Sequence, residues 1–211
     1  MTGAAQTSWP LSWIRRWHGA FVHQRRIRVL AEALAEHLPQ RATVLDIGCG
    51  DGAISALVAQ LRPDVAIQGV EVMLRPSCKI ACSGFDGSTL PFGDASFDLC
   101  MFVDVLHHTD DVAVLLREAA RVARSFVVLK DHVDEDFFDH ATLRFMDWVG
   151  NRPQGVRLTY NYQSRCQWSA NFSKCGLREA SWTTEIPLYP APFGIVFGRK
   201  LHFVSLLKKT K

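Results

Sequence analysis

Val44-Leu45-Asp46-Ile47-Gly48-Cys49-Gly50-Asp51-Gly52-Ala53 is the stretch on which the reading of this 211-residue chain turns. An apolar run of strand character, Thr43–Ile47, feeds three alternating glycines and then a helical pattern, Ala53–Leu61, stopped by Pro63. Glycine lets a backbone turn tightly and lets a ligand approach without meeting a Cβ. The helix that follows offers free N–H groups at its start. Outward from there, Ala66–Glu71 reads as a second strand, Lys79–Phe85 as a third, and Phe97–Val103 as a nearly all-apolar fourth, the pattern of a strand buried on both faces. Thr109 is expected to cap a helix reaching about Ala123, with Asp110 and Asp111 in its first turn, and Phe126–Lys130 is a fifth strand. Helical patterns follow near 136–149 and 164–175, the second ended by Gly176. Arg178–Glu185 and Leu201–Leu207 can close as an antiparallel pair. Strands alternating with helices predict a doubly wound, Rossmann-like α/β fold: seven strands, mostly parallel, the last antiparallel, with helices on both faces. Ile27, Leu30, Ala31, Leu34 and Leu38 form a helical stripe over 20–38, closed by Pro39. Residues 1–39 are read as an amino-terminal helical extension and 40–211 as the ligand-binding domain.

Composition narrows the class. Hydrophobic residues make up 48% and charged residues 21%, as in ordinary globular chains. No apolar run approaches the roughly 18 residues of a membrane span, and no secretory leader is visible, so a cytoplasmic protein is expected. The net charge of +3 is too small to argue for nucleic acid. Both ends are basic and the middle is acidic. Six cysteines contain no CxxC pair, and Cys49 and Cys100 read as reduced thiols.

The glycine loop alone does not choose a ligand. Gly48-x-Gly50-x-x-Ala53 also fits a dinucleotide fingerprint, with Glu71 near the place of its ribose-binding acid. Asp46 argues otherwise, because a carboxylate at that strand end suits an ammonium and repels a pyrophosphate. The ordered series Asp46-Ile47-Gly48-Cys49-Gly50-Asp51-Gly52, Gly69-Val70-Glu71, Phe85-Asp86-Gly87-Ser88-Thr89-Leu90-Pro91-Phe92, Ser96-Phe97-Asp98-Leu99 and Val105-Leu106-His107-His108 resembles class I S-adenosylmethionine-dependent methyltransferases of the small-molecule type over roughly residues 40–130. The resemblance implies S-adenosylmethionine as cofactor. It implies that Asp46 and the backbone of Gly48, Cys49 and Gly50 hold the methionine part and that Glu71 takes the ribose hydroxyls. Asp86 and Gly87 would lie at adenine, Val72 would join the cofactor-binding residues, and Val103 and Asp104 would line the methionine moiety. One departure stands out: only Val72 to Cys78, interrupted by Pro76, replaces the helix that usually joins strands two and three.

The acceptor side is less defined. His108, followed by Asp131 and His132, are the candidate acid–base residues, His108 being favoured over His107, with Asp104 and Asp131 expected to raise the pKa of His108 or orient its ring. Asp131-His132-Val133-Asp134-Glu135-Asp136 fits no specific metal motif, and no metal is assigned. Tyr160, Asn161, Tyr162 and Trp168 suit a small acceptor of aromatic or amphiphilic character. Trp9, Trp13, Trp17 and Phe21 share one helical face, which reads as a lid over the acceptor, as a weak contact with a membrane surface through Trp and Arg, or as packing. A dinucleotide-dependent oxidoreductase and a non-catalytic cofactor-binding module are the other classes.

Overall fold

A computed structural model describes residues 23–151, 159–190 and 193–210. The aromatic face at Trp9, Trp13, Trp17 and Phe21 lies outside the described residues. One seven-stranded sheet forms the centre: β1 (Thr43–Ile47), β2 (Ala66–Glu71), β3 (Cys82–Gly84), β4 (Phe97–Val103), β5 (Ala123–His132), β6 (Leu177–Thr183) and β7 (His202–Lys209), in the order β3-β2-β1-β4-β5-β7-β6. Pairings from β3 through β5 are parallel, while β7 runs antiparallel to both β5 and β6. The predicted fold class holds. β1, β2 and β4 keep their expected limits, whereas β3 shrinks to three residues.

The period-two alternation of the strands sorts two cores onto the two faces. Leu45, Ile47, Cys100, Phe102, Val127 and Leu129 face helices α3 (Val112–Val122) and α5 (Arg165–Lys174). Val44, Leu99, Met101, Val128 and Val204 face α1 (23–35) and α2 (Ala53–Leu61). The remaining described helices are α4 (Phe137–Asn151) and α6 (Phe193–Phe197).

One expectation changes. Asp111, not Thr109, is the cap of α3: its carboxylate accepts from the Ala113 N–H at 2.8 Å, while Thr109 closes the short 3-10 turn Leu106–His108. Residues 30–38 pack against the sheet. Leu30, Ala31 and Leu34 are fully buried, and Arg62 ties down the end of α1 by donating to the carbonyls of Ala35, Leu38 and Pro39. The segment after β2 is non-helical through residue 81, as the short Pro76-containing connection requires. Asp98 clasps β1 to β4 by accepting from the Thr43 N–H and Oγ1, both at 2.8 Å.

Candidate active site

The carboxyl ends of β1, β2 and β4 converge on the glycine loop. Gly48 and Gly50 have φ of 76° and 58°, a region that L side chains rarely occupy. A Cβ on Gly48 would stand 2.7 Å from Val105 Cγ2, so this backbone lies directly under the β4 loop. A Cβ on Gly50 would meet nothing within 4 Å, which leaves open space above the loop. Cys49 turns its thiol away, against Gly69 and to 3.4 Å from the Cys82 Sγ, so what it offers to the loop is backbone.

Asp46 is only 3% exposed. Its Oδ2 accepts from Ser55 Oγ at 2.5 Å, and its Oδ1 finds no partner among the described residues. Burial pushes its pKa up to about 7 against the opposing Ser55 hydrogen bond. An orphaned buried carboxylate oxygen is costly, and a cation with N–H donors resolves it.

Glu71 ends β2 and is already engaged. Its Oε2 accepts from the Gly50 N–H at 2.8 Å, and its Oε1 accepts from Val72 and Met73 N–H at 2.9 and 3.2 Å. An ionised carboxylate has about four acceptor positions, so taking both hydroxyls of a diol requires exchange of a backbone bond. Gly50 therefore braces Glu71 as well as forming the loop. Across from it, a Cβ on Gly87 would stand 3.3 Å from Val72 Cγ2, which puts these two residues side by side. Asp86 spends Oδ1 on Ser88 N, Ser88 Oγ and Thr89 N, and these bonds hold its pKa down.

Beyond β4 and β5 lies a buried ionic network. Asp104, at φ 58°, pairs with both Lys130 and Arg26 of α1, so its carboxylate is spent inside the protein while Val103 stays half-buried beside it. Asp131, fully buried, accepts from Leu106 N at 3.0 Å, His132 N at 2.8 Å and His107 Nδ1 at 2.6 Å. Burial favours its neutral form, but the His107 charge and these bonds prevail and hold it well below the usual carboxylate range. His107 is held between Asp131 and Asp147, whose Oδ2 lies 3.5 Å from Nε2. Burial opposes its charge, yet the two carboxylates push its pKa up to about 10. Asp147 also accepts from the Tyr162 hydroxyl at 2.5 Å.

These contacts revise the acid–base candidates. Asp131 and His132 are 0% and 4% exposed and bonded to their neighbours, so they position other groups and do not present themselves to a substrate. His108 is partly exposed, and burial followed by the charge on His107 lowers its pKa to about 4. That is opposite to a rise, because burial, and then the charge on His107, outweigh the pull of Asp147, Asp131 and Asp104. His108 is thus a neutral imidazole at pH 7. Sequence reading missed Arg26, Asp147 and His202, which join this network from α1, α4 and β7. The one signal was Lys130 inside an apolar strand, which needs a counter-ion when buried.

A family model described as a methyltransferase domain matches residues 17–179. The 27-O-demethylrifamycin SV methyltransferase of Amycolatopsis mediterranei is 33% identical over 110 residues, 45% of this chain and 40% of that protein. O-methyltransferase rstn1 of Aspergillus nomiae is 33% identical over 115 residues, 48% of this chain and 49% of its own length. The chain thus spans less than half of the curated relatives it matches. Among solved structures, a Mesorhizobium loti S-adenosylmethionine-dependent methyltransferase superposes with a TM-score of 0.62 at 16% identity, covering 84% of this chain and 96% of the other. The matched family model takes in the glycine loop, Glu71, Asp86 and the β4 and β5 ends together, and this chain belongs to the methyltransferase domain family.

Proposed function

We propose that this chain is an S-adenosylmethionine-dependent methyltransferase that transfers a methyl group to oxygen or nitrogen of a small acceptor with aromatic or amphiphilic character. The observation that carries this reading is the Asp46 Oδ1, buried and partnerless next to a loop with no side chains at Gly48 and Gly50. That carboxylate answers the ammonium of the methionine end, and it speaks against a dinucleotide, whose pyrophosphate it would repel. The rest of the donor set suits the same cofactor. We assign Glu71 to the ribose, and Val72, Asp86 and Gly87 to adenine. Asp104, committed to Arg26 and Lys130, contributes to the wall beside Val103 and not to a direct bond.

When bound, the cofactor supplies an electrophilic methyl group on a sulfonium. The chain's own work is then to align a nucleophile and to receive its proton. His108 is the residue we assign to that proton, because it is neutral at pH 7 and partly exposed at the carboxyl end of β4. Asp131 and Asp147 hold His107 charged, and His107 packs beside His108 with ring centroids 4.0 Å apart, which fixes the ring and keeps it neutral. Alignment of the reacting atoms supplies much of the remaining rate, up to about 7–11 kcal/mol.

The proposal extends to the setting. We also assign to the stretch with Trp9, Trp13, Trp17 and Phe21, which lies outside the described residues, the role of a cover for the acceptor, on the strength of its aromatic pattern. No helix among the described residues is long and apolar enough to cross a membrane, and all six cysteines are free, which suits a reducing, cytoplasmic compartment. No nucleic-acid partner is proposed. Calorimetry with S-adenosylmethionine, S-adenosylhomocysteine and NAD tests the cofactor, and labelled cofactor incubated with metabolite extract identifies the product. Binding of NAD with no binding of either sulfur compound overturns the reading.

A further inference from the structure

Three cysteines that are distant in sequence meet behind the glycine loop. Cys49 comes from the loop itself, Cys78 from the connection after β2, and Cys82 opens β3. Their sulfur atoms all lie within 4.8 Å of one another, with Cys49 and Cys82 at 3.4 Å. All three are half-buried and none is in a disulfide. Cys78 and Cys82 stand in C-x3-C spacing, within the range of zinc ligand pairs, but 28 residues separate Cys49 from Cys78, and a CxxC pattern passes over the trio.

We propose that Cys49, Cys78 and Cys82 form a site for one soft, thiophilic d10 cation of the zinc class, held by three thiolates with solvent as fourth ligand. The dimensions decide this. At a metal–sulfur distance of about 2.3 Å, three thiolates around one ion stand about 3.8–4.0 Å apart. The Cys49–Cys82 separation of 3.4 Å lies a few tenths of an ångström below that value and no pair of the three exceeds 4.8 Å, so small side-chain adjustments close the site. A disulfide between Cys49 and Cys82 would instead need the sulfurs to approach to about 2.05 Å and would leave Cys78 unused. Soft sulfur ligands select this class of ion over oxygen-seeking magnesium or calcium. Binding is not a redox event: three thiols each give a proton to solvent and three sulfur–metal bonds form.

The placement gives the ion a mechanical consequence. Lys79 N–H donates to the Asp51 carbonyl at 2.9 Å, so the Cys78 segment is already stitched to the glycine loop. A Cβ on Gly52 would touch the Cys78 sulfur at 3.0 Å. An ion here would pin the loop to β2–β3 and to the connection that replaces the usual helix. The site stands whether or not the chain uses S-adenosylmethionine.

The test uses the full chain, reduced and freed of metal. Titration with Cd(II), read by its ultraviolet sulfur-to-metal charge-transfer band, and with Zn(II) against a chelating indicator, should show one ion per chain. Cys78→Ser and Cys82→Ser should each weaken binding by about tenfold or more, while Cys166→Ser changes nothing. Amide hydrogen exchange of residues 49–52 and 79–82 should slow on Zn(II) addition in the wild type and not in Cys78→Ser. Far-ultraviolet circular dichroism shows that the variants remain folded. Binding to wild type no stronger than to the Cys78→Ser/Cys82→Ser double variant overturns the site. So does a Cys49–Cys82 disulfide that forms in air and excludes the ion. Neither result touches cofactor binding, which calorimetry on metal-free protein reads separately.

Discussion

Replacing Asp46 with Asn tests the origin of the cofactor site, because the two side chains have nearly the same shape and differ in charge. Burial lifts the Asp46 carboxyl from its ordinary 3.8 to about 7. Each tenfold change in acidity is worth about 1.4 kcal/mol, so the ionised carboxylate costs the fold up to about 4 kcal/mol above pH 7. The sign follows from proton uptake. Between pH 4 and 7 the folded chain keeps a proton that the unfolded chain has lost, so wild-type stability falls as pH rises through this window. The Asp46→Asn variant carries no such dependence. Its amide leaves a buried N–H without a partner, costing about 1–3 kcal/mol at every pH, and this constant cancels when the two pH values are compared. Urea unfolding of both proteins near pH 4, 6 and 8 should therefore show the variant gaining about 3–4 kcal/mol on the wild type from the lowest to the highest pH. Calorimetry at pH 8 should show S-adenosylmethionine binding weakened by about 1.5–3 kcal/mol, the scale for losing a hydrogen bond to a charged group. Wild-type binding near pH 7 should release a proton as the incoming ammonium ionises Asp46. A stability difference that is flat with pH would refute the raised carboxyl. Unchanged cofactor affinity would refute its role at the methionine end.

Glu71→Gln should weaken cofactor binding by about 1–3 kcal/mol, and faster amide exchange at Gly50 and Val72 should report the loss of the charged brace on the loop. His108→Ala should lower turnover about 10²–10⁴-fold with cofactor affinity unchanged; because the wild-type pKa lies at about 4, its rate should show no acid limb from this group between pH 6 and 9. Lys130→Met should cost about 3 kcal/mol in chemical denaturation, since it removes the fully buried partner of Asp104 and leaves that carboxylate with Arg26 alone; loss below 1 kcal/mol would mean that the network is solvated. Deletion of residues 1–19 should leave fold and cofactor binding intact and reduce turnover, and full activity on the true acceptor would remove the cover.

The cofactor half was legible because it is written locally. A strand, a glycine turn and an acid at the next strand end are neighbours in sequence, and Ala53–Leu61, Ala66–Glu71 and Phe97–Val103 fold within the limits that their patterns set. β3 was overdrawn because Lys79 to Ala81 are drawn instead to the loop and to β2, with Lys79 bonding Asp51 and Ala81 bonding Gly69. The acceptor half was not legible in the same way. Arg26 meets Asp104 across 78 positions, and Lys130 approaches His202 across 72. No local pattern encodes such meetings. The direction of the His108 shift was not legible for the same reason: the sequence names the acids near it, and only tertiary structure shows the burial and the His107 charge that outweigh them.

The same pairing of charges supports the proposed assignment of the proton to His108. In the network beyond β4 and β5, the cations Arg26, Lys130 and His107 face the carboxylates Asp104, Asp131 and Asp147. Charges of opposite sign are matched three to three, as a buried cluster must be to escape a heavy desolvation cost. Any carboxylate in it that took a proton from the acceptor would leave its cationic partner uncompensated, so these acids are poor bases despite their number. His132 and His202 are held neutral by burial and by Lys130, but both are enclosed. His108 is likewise neutral but is within reach of solvent. Its low pKa makes it a weak base, so it serves best with an acceptor that attacks before losing its proton or that gives the proton up readily beforehand. An amine, nucleophilic through its lone pair, and an acidic phenol meet that condition; an aliphatic alcohol, a poor nucleophile while protonated and a very weak acid, does not. The rate with matched acceptors should accordingly rise with their acidity in the wild type and lose that dependence in His108→Ala.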